Sequence, residues 1–176
     1  MSLASKYDAF YASEKAANAF SDVVVRGWPR NRVEAVLAHA PQGGAVLDVG
    51  CGDGYLLFQL RSHYQKLIGL EYSASRLADA ERHLAGLPFQ GVLGSAERMD
   101  ALPDASLDCI VSADTIEHIP DVYAAASELF RVLRPGGSLV INTPQYRLPE
   151  KAAHPAPWPF PRHLTAQRGA RQRPAI

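Results

Sequence analysis

The sequence predicts a doubly wound α/β fold, in which helices cover both faces of a mostly parallel sheet. Two observations lead to this prediction. Short apolar runs of strand length alternate with amphipathic stretches of helical spacing through the middle of the chain, a pattern typical of consecutive β-α units. The apolar run at residues 46–49 also leads directly into a glycine-rich turn at residues 50–54. A strand that ends in such a turn before a helix forms a ligand site at the carboxyl edge of a parallel sheet.

Five strands are predicted, each as a short apolar run bounded by turn residues. They lie at residues 45–49, 67–71, 90–93, 107–112 and 138–142. The fourth run is largely apolar, with Asp108 as the exception. Because such a strand offers no polar face to water, we expect helices on both of its faces.

Helices are predicted before and between these strands. The first forty residues are expected to be helical, in two segments that Pro29 separates. Ser73 and Asp121 are typical N-cap residues, and each begins one of the later helices. The helix that begins at Asp121 is expected to end at a turn over residues 135–137, before the fifth strand.

Composition argues against several classes of protein. The formal net charge is zero, so no nucleic acid or anionic membrane is expected as a partner. No apolar stretch is long enough to span a bilayer, and charged residues interrupt the N-terminus where a signal peptide would be apolar. The two cysteines, Cys51 and Cys109, do not have the spacing of a metal site. A cytoplasmic location is therefore expected.

The glycine turn does not by itself decide its ligand. A glycine triplet is also compatible with a bare strand-to-helix turn or with a dinucleotide site. The spacing here is Gly-x-Gly-x-Gly, whereas the dinucleotide fingerprint is Gly-x-Gly-x-x-Gly. Asp48 lies inside the strand, where a buried carboxylate needs a partner. Glu71 ends the second strand, where it is positioned to accept hydrogen bonds from ribose hydroxyls.

Six short segments, taken in order, resemble the class I S-adenosylmethionine-dependent methyltransferases, in particular the bacterial small-molecule group. The segments are residues 46–54, 69–73, 94–97, 107–111, 115–121 and 133–137. The resemblance extends from Tyr7 to Pro144. It implies a Rossmann-like sheet, S-adenosyl-L-methionine as cofactor, and methyl transfer to a small-molecule acceptor.

The same resemblance implies which residues bind the cofactor. They are Asp48, Gly50, Cys51, Gly52, Glu71, Tyr72, Ser95, Ala96, Glu97 and Asp114. On this interpretation Glu71 accepts hydrogen bonds from both ribose hydroxyls, and Tyr72 covers one face of the adenine. Many family members carry an aspartate where this chain has Ser95. A hydroxyl accepts a hydrogen bond from the exocyclic amine more weakly than a carboxylate does.

Candidates for catalysis follow the fourth strand, at the edge of the sheet where ligands bind. In-line methyl transfer depends above all on alignment of the two substrates, and it needs a base only where the acceptor loses a proton. His118 is the predicted base, because imidazole ordinarily titrates near neutral pH. The alternative is that His118 caps or packs against the following helix. Asp114 is the second catalytic candidate.

Three regions are predicted along the chain. They are an N-terminal helical lid at residues 1–42, a cofactor-binding core at residues 43–144, and a tail rich in proline and arginine at residues 145–176. The tail has no helical or strand periodicity and is expected to be disordered. Family members usually continue with a further helix and two further strands, so we expect a C-terminally truncated sheet. Its fifth strand would then expose an edge, which favours pairing in a homo-oligomer.

Two other functions remain open at this point. A nicotinamide-dependent oxidoreductase is disfavoured by the glycine spacing and by Asp48. A non-catalytic S-adenosylmethionine-binding or assembly subunit is favoured by the missing strands, because an incomplete sheet needs a partner.

Overall fold

The computed structural model describes Ala9 and residues 20–143. The strands in this part of the chain are β1 (Gly43–Val49), β2 (Tyr64–Glu71), β3 (Phe89–Leu93), β4 (Leu107–Ala113) and β5 (Leu133–Asn142). The helices are α1 (Arg32–His39), α2 (Tyr55–Leu60), α3 (Ala74–His83) and α4 (Val122–Val132), and a short 3-10 helix spans Ile116–His118. None of the described helices is long and apolar enough to cross a membrane. The predicted tail at residues 145–176 lies outside the described residues.

The five strands form one parallel sheet in the order β3-β2-β1-β4-β5. From β1 the chain moves outward to β3, and it then crosses back to place β4 on the other side of β1. The connections that leave β1 and β4 therefore diverge, and a crevice opens at the carboxyl ends of these two strands. The predicted doubly wound fold is confirmed, and every strand pair in it is parallel.

Both faces of the sheet are covered by helices, as predicted. On one face Val46, Leu67 and Cys109 pack with apolar side chains of α1, α2 and α3. On the other face Leu47 and Ile110 pack with α4 and with the segment that precedes β4. All five of these residues are buried. Burying one such aliphatic side chain contributes roughly 1.5–3 kcal/mol, so these two layers hold the strand ends in place.

The two helices that flank the crevice begin at the predicted caps. Ser73 Oγ accepts a hydrogen bond from the amide of Arg76 at 3.3 Å, at the start of α3. Asp121 Oδ1 accepts from the amides of Tyr123 and Ala124 at 3.1 and 3.0 Å, at the start of α4. Each cap satisfies amides that have no partner within their own helix.

The predicted start of β5 is wrong. The strand begins at Leu133, directly after α4, and not after a turn over residues 135–137. Leu133 pairs with Leu107, but the next pair joins Ser138 to Cys109. The extra residues of β5 form an irregularity in the ladder, in which Gly136 has φ +76°. Proline and glycine weaken a strand signal, which is why the sequence indicated a turn here.

The helical prediction is also wrong for residues 20–31, which are not helical. This segment runs along α2, where the buried side chain of Gln59 donates to Ser21 O at 2.7 Å and accepts from Val23 N at 2.9 Å. The ring of Phe20 meets Tyr55 edge-on, with 5.5 Å between the ring centroids. Of the residues before Phe20, only Ala9 is described, and it is helical.

Candidate functional site

A cavity of about 460 Å³ opens at the carboxyl edge of the sheet. Every residue predicted to bind a ligand or to act in catalysis lines this cavity. These residues are Asp48, Gly50, Cys51, Gly52, Glu71, Tyr72, Ser95, Ala96, Glu97, Asp114 and His118. They come from the ends of β1, β2, β3 and β4, which are far apart in sequence but adjacent in the sheet. The topology thus gathers them at one place.

The turn after β1 folds back onto the end of β2. The amides of Gly50 and Cys51 donate to Leu70 O at 2.8 and 3.1 Å. Gly50 has φ +77°, and a Cβ at this position would lie 2.3 Å from Thr115 Oγ1. Any other residue would therefore be strained in its backbone and would also clash with the segment that follows β4. Glycine is required here for close packing of two loops.

Glu71 holds this turn in place. Its Oε2 accepts from the amide of Gly52 at 2.9 Å. Its Oε1 accepts from the amides of Tyr72 and Ser73 at 2.9 and 2.8 Å. A carboxylate has about four acceptor positions, so capacity remains for a ligand hydroxyl. The sequence predicted the ribose role but missed this structural one.

Asp48 lies in the wall of the cavity and is 2% exposed. Burial raises the pKa of its carboxyl from 3.8 to about 8, and the charges of Glu71 and Asp53 add to the rise while that of Arg32 opposes it. The group therefore holds a proton at neutral pH. A cation placed beside it would favour the ionised form, so this part of the cavity suits a positively charged group.

Cys51 is a lining residue without a nucleophile's properties. Its side chain fills the space above Gly69, where a Cβ would lie 2.6 Å from Sγ. Burial raises the pKa of the Cys51 thiol well above its ordinary value, and the charge of Asp48 adds to the rise. Because the thiolate is the reactive form, the role of this residue is packing and backbone geometry.

Two arginines in the cavity were not predicted from the sequence. Arg32 lies at the start of α1, and its Nη1 is 2.6 Å from Oδ2 of Asp114. Arg76, in α3, lies 3.9 Å from Asp53 Oδ2. Both arginines line the cavity. Asp114 itself has φ +53°, a strained conformation for a residue with a side chain. The Arg32 side chain therefore pairs with a carboxylate that lines the cavity.

His118 lines the cavity, and its side chain is 56% exposed. Its Nε2 lies 4.0 Å from Glu117 Oε1, and Glu117 Oε2 accepts from Thr143 Oγ1 at 3.4 Å. The side chain that caps α4 is that of Asp121, so the alternative in which His118 caps this helix is wrong. The imidazole of His118 therefore lies on the cavity wall, exposed to solvent.

Fold and site together define a class of protein. A crevice where the strand order reverses, a glycine turn over it and an acid at the end of the neighbouring strand are typical of proteins that bind nucleoside-containing ligands. The buried carboxyl of Asp48 adds a preference for a ligand that also carries positive charge.

Comparison with known proteins identifies the family. The model of a family described as a methyltransferase domain matches residues 47–141, more than half of the chain. A curated relative from Mycolicibacterium smegmatis, named "Probable S-adenosylmethionine-dependent methyltransferase", is 37% identical over 108 residues, which cover 61% of this chain and 41% of the relative. The ubiquinone/menaquinone biosynthesis C-methyltransferase of Geobacter sulfurreducens is 31% identical over 134 residues, which cover 71% of this chain and 52% of the relative.

A solved structure agrees with this. The S-adenosylmethionine-dependent methyltransferase of Mesorhizobium loti is 26% identical and superposes with a TM-score of 0.57, over 62% of this chain and 51% of that chain. The chain belongs to the class I S-adenosylmethionine-dependent methyltransferase family. Family and fold imply S-adenosyl-L-methionine as its cofactor. The chain spans about half of the length of these relatives, or less.

Proposed function

We propose that this chain binds S-adenosyl-L-methionine in the cavity at the carboxyl edge of the sheet and transfers its methyl group to a small-molecule acceptor. One observation carries the proposal: all residues that the family resemblance assigned to the cofactor line one cavity. The cavity lies at the crevice where a doubly wound sheet binds its ligands.

Each polar group of the site is expected to contact a different part of the cofactor. Glu71 accepts a hydrogen bond from a ribose hydroxyl at the acceptor position that its three backbone amides leave free. Asp48 faces the positively charged end, where its buried carboxyl gains most from a cation. The open backbone of Gly50 and Gly52 lets the amino acid portion approach the turn. Tyr72, which is 38% exposed, covers a face of the adenine.

The chemistry needs little from the protein beyond alignment. The bound cofactor supplies an electrophilic methyl group. The cavity holds this group and the acceptor in line, which alone supplies a large part of the rate enhancement. Where the acceptor carries a proton, the imidazole of His118 takes it. Asp114, which pairs with Arg32 at 2.6 Å, orients the acceptor in the cavity.

The family match does not favour the two alternative functions. A nicotinamide-dependent oxidoreductase would require the other glycine spacing, and the family model that matches is a methyltransferase. A non-catalytic binding subunit would keep the cofactor contacts without transfer of the methyl group. An assay with a panel of small-molecule acceptors distinguishes a methyltransferase from a non-catalytic binding subunit. Only the methyltransferase releases S-adenosylhomocysteine when an acceptor is present.

Calorimetric titration of S-adenosylhomocysteine tests cofactor binding. The chain is expected to bind it with micromolar affinity, about −8 kcal/mol, and Glu71→Gln should bind it more weakly. Glu81→Gln, an exposed carboxylate of α3, is the matched control and should bind as the unaltered chain does. NADH is the control ligand. Absence of S-adenosylhomocysteine binding by folded protein, or tighter binding of NADH, would contradict the proposal.

A homo-oligomer and a cytoplasmic location are also proposals. Within the described residues β5 is an edge strand of the sheet, and its exposed Ile141 fits pairing with a second copy. Sedimentation of the purified chain over a range of concentrations tests the oligomer: a monomer at all concentrations contradicts it. Fractionation of cells that express the protein tests the location.

A further inference from the structure

The carboxylate of Glu117 has one buried oxygen without a hydrogen-bond partner. Glu117 lies in the short 3-10 helix that follows β4, and its side chain is 15% exposed. Its Oε2 accepts a hydrogen bond from Thr143 Oγ1, at the end of β5, at 3.4 Å. Its Oε1 is shielded from solvent and accepts no hydrogen bond within the described part of the chain. Because buried polar atoms nearly always have a partner, this exception needs a physical reason.

The neighbouring side chain of His118 can supply the missing donor. Its Nε2 lies 4.0 Å from Glu117 Oε1, about 1 Å longer than an ordinary N–H···O hydrogen bond. Among the described residues, no other cationic side chain lies within 4.0 Å of this carboxylate. The His118 side chain is 56% exposed, so a small rotation of the ring can close the gap.

We propose that Glu117 is a positioning residue for His118: its Oε1 accepts a hydrogen bond from Nε2–H and so leaves Nδ1 as the nitrogen that takes the proton of the methyl acceptor. This inference rests on the proposed function, because it concerns the base that is proposed there. A neutral imidazole has one protonated nitrogen and one unprotonated nitrogen, and the bond made by the first decides which of them is free. The bond to Thr143 holds the carboxylate in place for this task.

The proposed step balances in atoms and charge. The bond between the acceptor atom and its hydrogen breaks, the proton binds Nδ1 of His118, and the electron pair left on the acceptor atom forms the bond to the methyl carbon. The bond from this carbon to the sulfonium breaks, and its electron pair stays on sulfur. The positive charge that sulfur loses is then carried by the imidazolium. An adjacent carboxylate stabilises this charge, and release of the proton to water restores the base.

The tautomer of the His118 ring tests the inference without an acceptor. Nitrogen NMR of labelled protein distinguishes a protonated ring nitrogen from an unprotonated one, and it is measured at alkaline pH, where a histidine side chain is ordinarily neutral. Comparison with His118→Gln identifies the signals of this ring. In the unaltered chain Nε2 should carry the proton. In Glu117→Gln, whose amide can also donate, the population of the other tautomer should rise by up to about tenfold, the size expected for loss of a hydrogen bond to a charged group.

Control variants separate this role from a structural one. Thr143→Val removes the hydroxyl but keeps the carboxylate, so Nε2 should still carry the proton. Glu81→Gln removes a carboxylate from the exposed surface of α3 and should leave the ring signals unchanged. Thermal unfolding checks that each variant is folded. Should Glu117→Gln not fold, Glu117→Asp replaces it, because its carboxylate is one methylene further from the ring and should also raise the population of the other tautomer.

The outcomes distinguish this inference from the proposed function. A proton on Nδ1 in the unaltered chain, or a tautomer population that Glu117→Gln does not change, overturns the role of Glu117. S-Adenosylhomocysteine is then added to the same samples, and shifts in the signals of the cavity residues report its binding. If the folded chain does not bind it, the proposed function fails, and the role of His118 as a base fails with it, even where the tautomer is fixed.

Discussion

Cofactor binding by this chain should release a proton, and Asp48 should be its source. In the free protein burial raises the pKa of Asp48 to about 8, so at pH 7 only about one carboxyl in ten is ionised. If the ammonium group of the ligand binds beside this carboxyl, the ionised form is favoured in the complex. Binding at pH 7 should then release almost one proton per site.

The magnitude follows from the same value. Below the pKa of about 8, the ionised fraction of Asp48 falls about tenfold for each unit by which the pH is lowered. Each tenfold fall corresponds to about 1.4 kcal/mol in the free energy of binding. The dissociation constant of S-adenosylhomocysteine should therefore rise by up to about tenfold per unit between pH 8 and pH 6. Above the pKa the affinity should become constant.

Calorimetry in two buffers measures the proton directly. Phosphate and Tris differ in ionisation enthalpy, so the difference between the observed binding enthalpies gives the number of protons released. Asp48→Asn cannot ionise and should show no difference between the buffers. Methylthioadenosine, which lacks the amino acid portion, is the matched control ligand and should release no proton from the unaltered chain. Tight S-adenosylhomocysteine binding with equal enthalpies in both buffers would refute this reasoning.

The same ionisation governs the stability of the free protein. The pKa of Asp48 is raised on folding, from 3.8 to about 8, so the folded state binds this proton more tightly than the unfolded state. The stability that this bound proton contributes is complete below pH 3.8 and is lost as the pH rises through about 8. Asp48→Asn removes this dependence, and its stability relative to the unaltered chain should increase from pH 6 to pH 9 in urea unfolding.

Two further predictions concern the scaffold around the site. Gly50→Ala combines positive φ with a clash against Thr115 and should cost roughly 1–3 kcal/mol in urea unfolding. Gly86→Ala, at φ +85° with nothing within 4 Å, should cost less, and an equal cost would show that the clash is relieved. Hydrogen bonding to Arg131 lowers the pKa of Glu128 to about 2. The stability that the ionised Glu128 carboxylate contributes is therefore present above pH 4.5, the ordinary pKa of the group. It is lost as the pH falls through about 2. In Glu128→Gln the free energy of unfolding should depend less on pH in this acid range. An unchanged pH dependence would contradict this role of Glu128.

The strands and the location of the site could be predicted because each depends on local sequence. A buried parallel strand is a short apolar run, and its last residues lie at the carboxyl edge whatever the order of the strands. Asp48 and Glu71 were found in this way, one within a strand and the other at the end of one. The early start of β5 could not be found, because Gly136 and its neighbours have the composition of a turn although they lie within a strand.

The two arginines of the cavity could not be predicted because their partners are set by the fold. Arg32 and Asp114 are separated by 82 positions, and no motif contains both. Arg32 lies at the start of α1, and its distance from Asp114 depends on how α1 packs on the sheet. A charged residue in the first turn of an amphipathic helix ordinarily faces solvent, so nothing local marked it as part of the site.

Glu71 shows why a residue that is predicted to bind a ligand can also have a structural role that the sequence does not reveal. Its carboxylate accepts hydrogen bonds from three backbone amides, one in the turn after β1 and two directly after β2. The residue that is proposed to hold the ribose thus also fixes the turn that receives the rest of the cofactor. A ligand hydroxyl that donates to Glu71 meets a carboxylate that these amides already orient. Little conformational freedom of the side chain is therefore lost on binding. For the same reason, loss of this carboxylate should weaken contacts along the whole cofactor and not only those to the ribose.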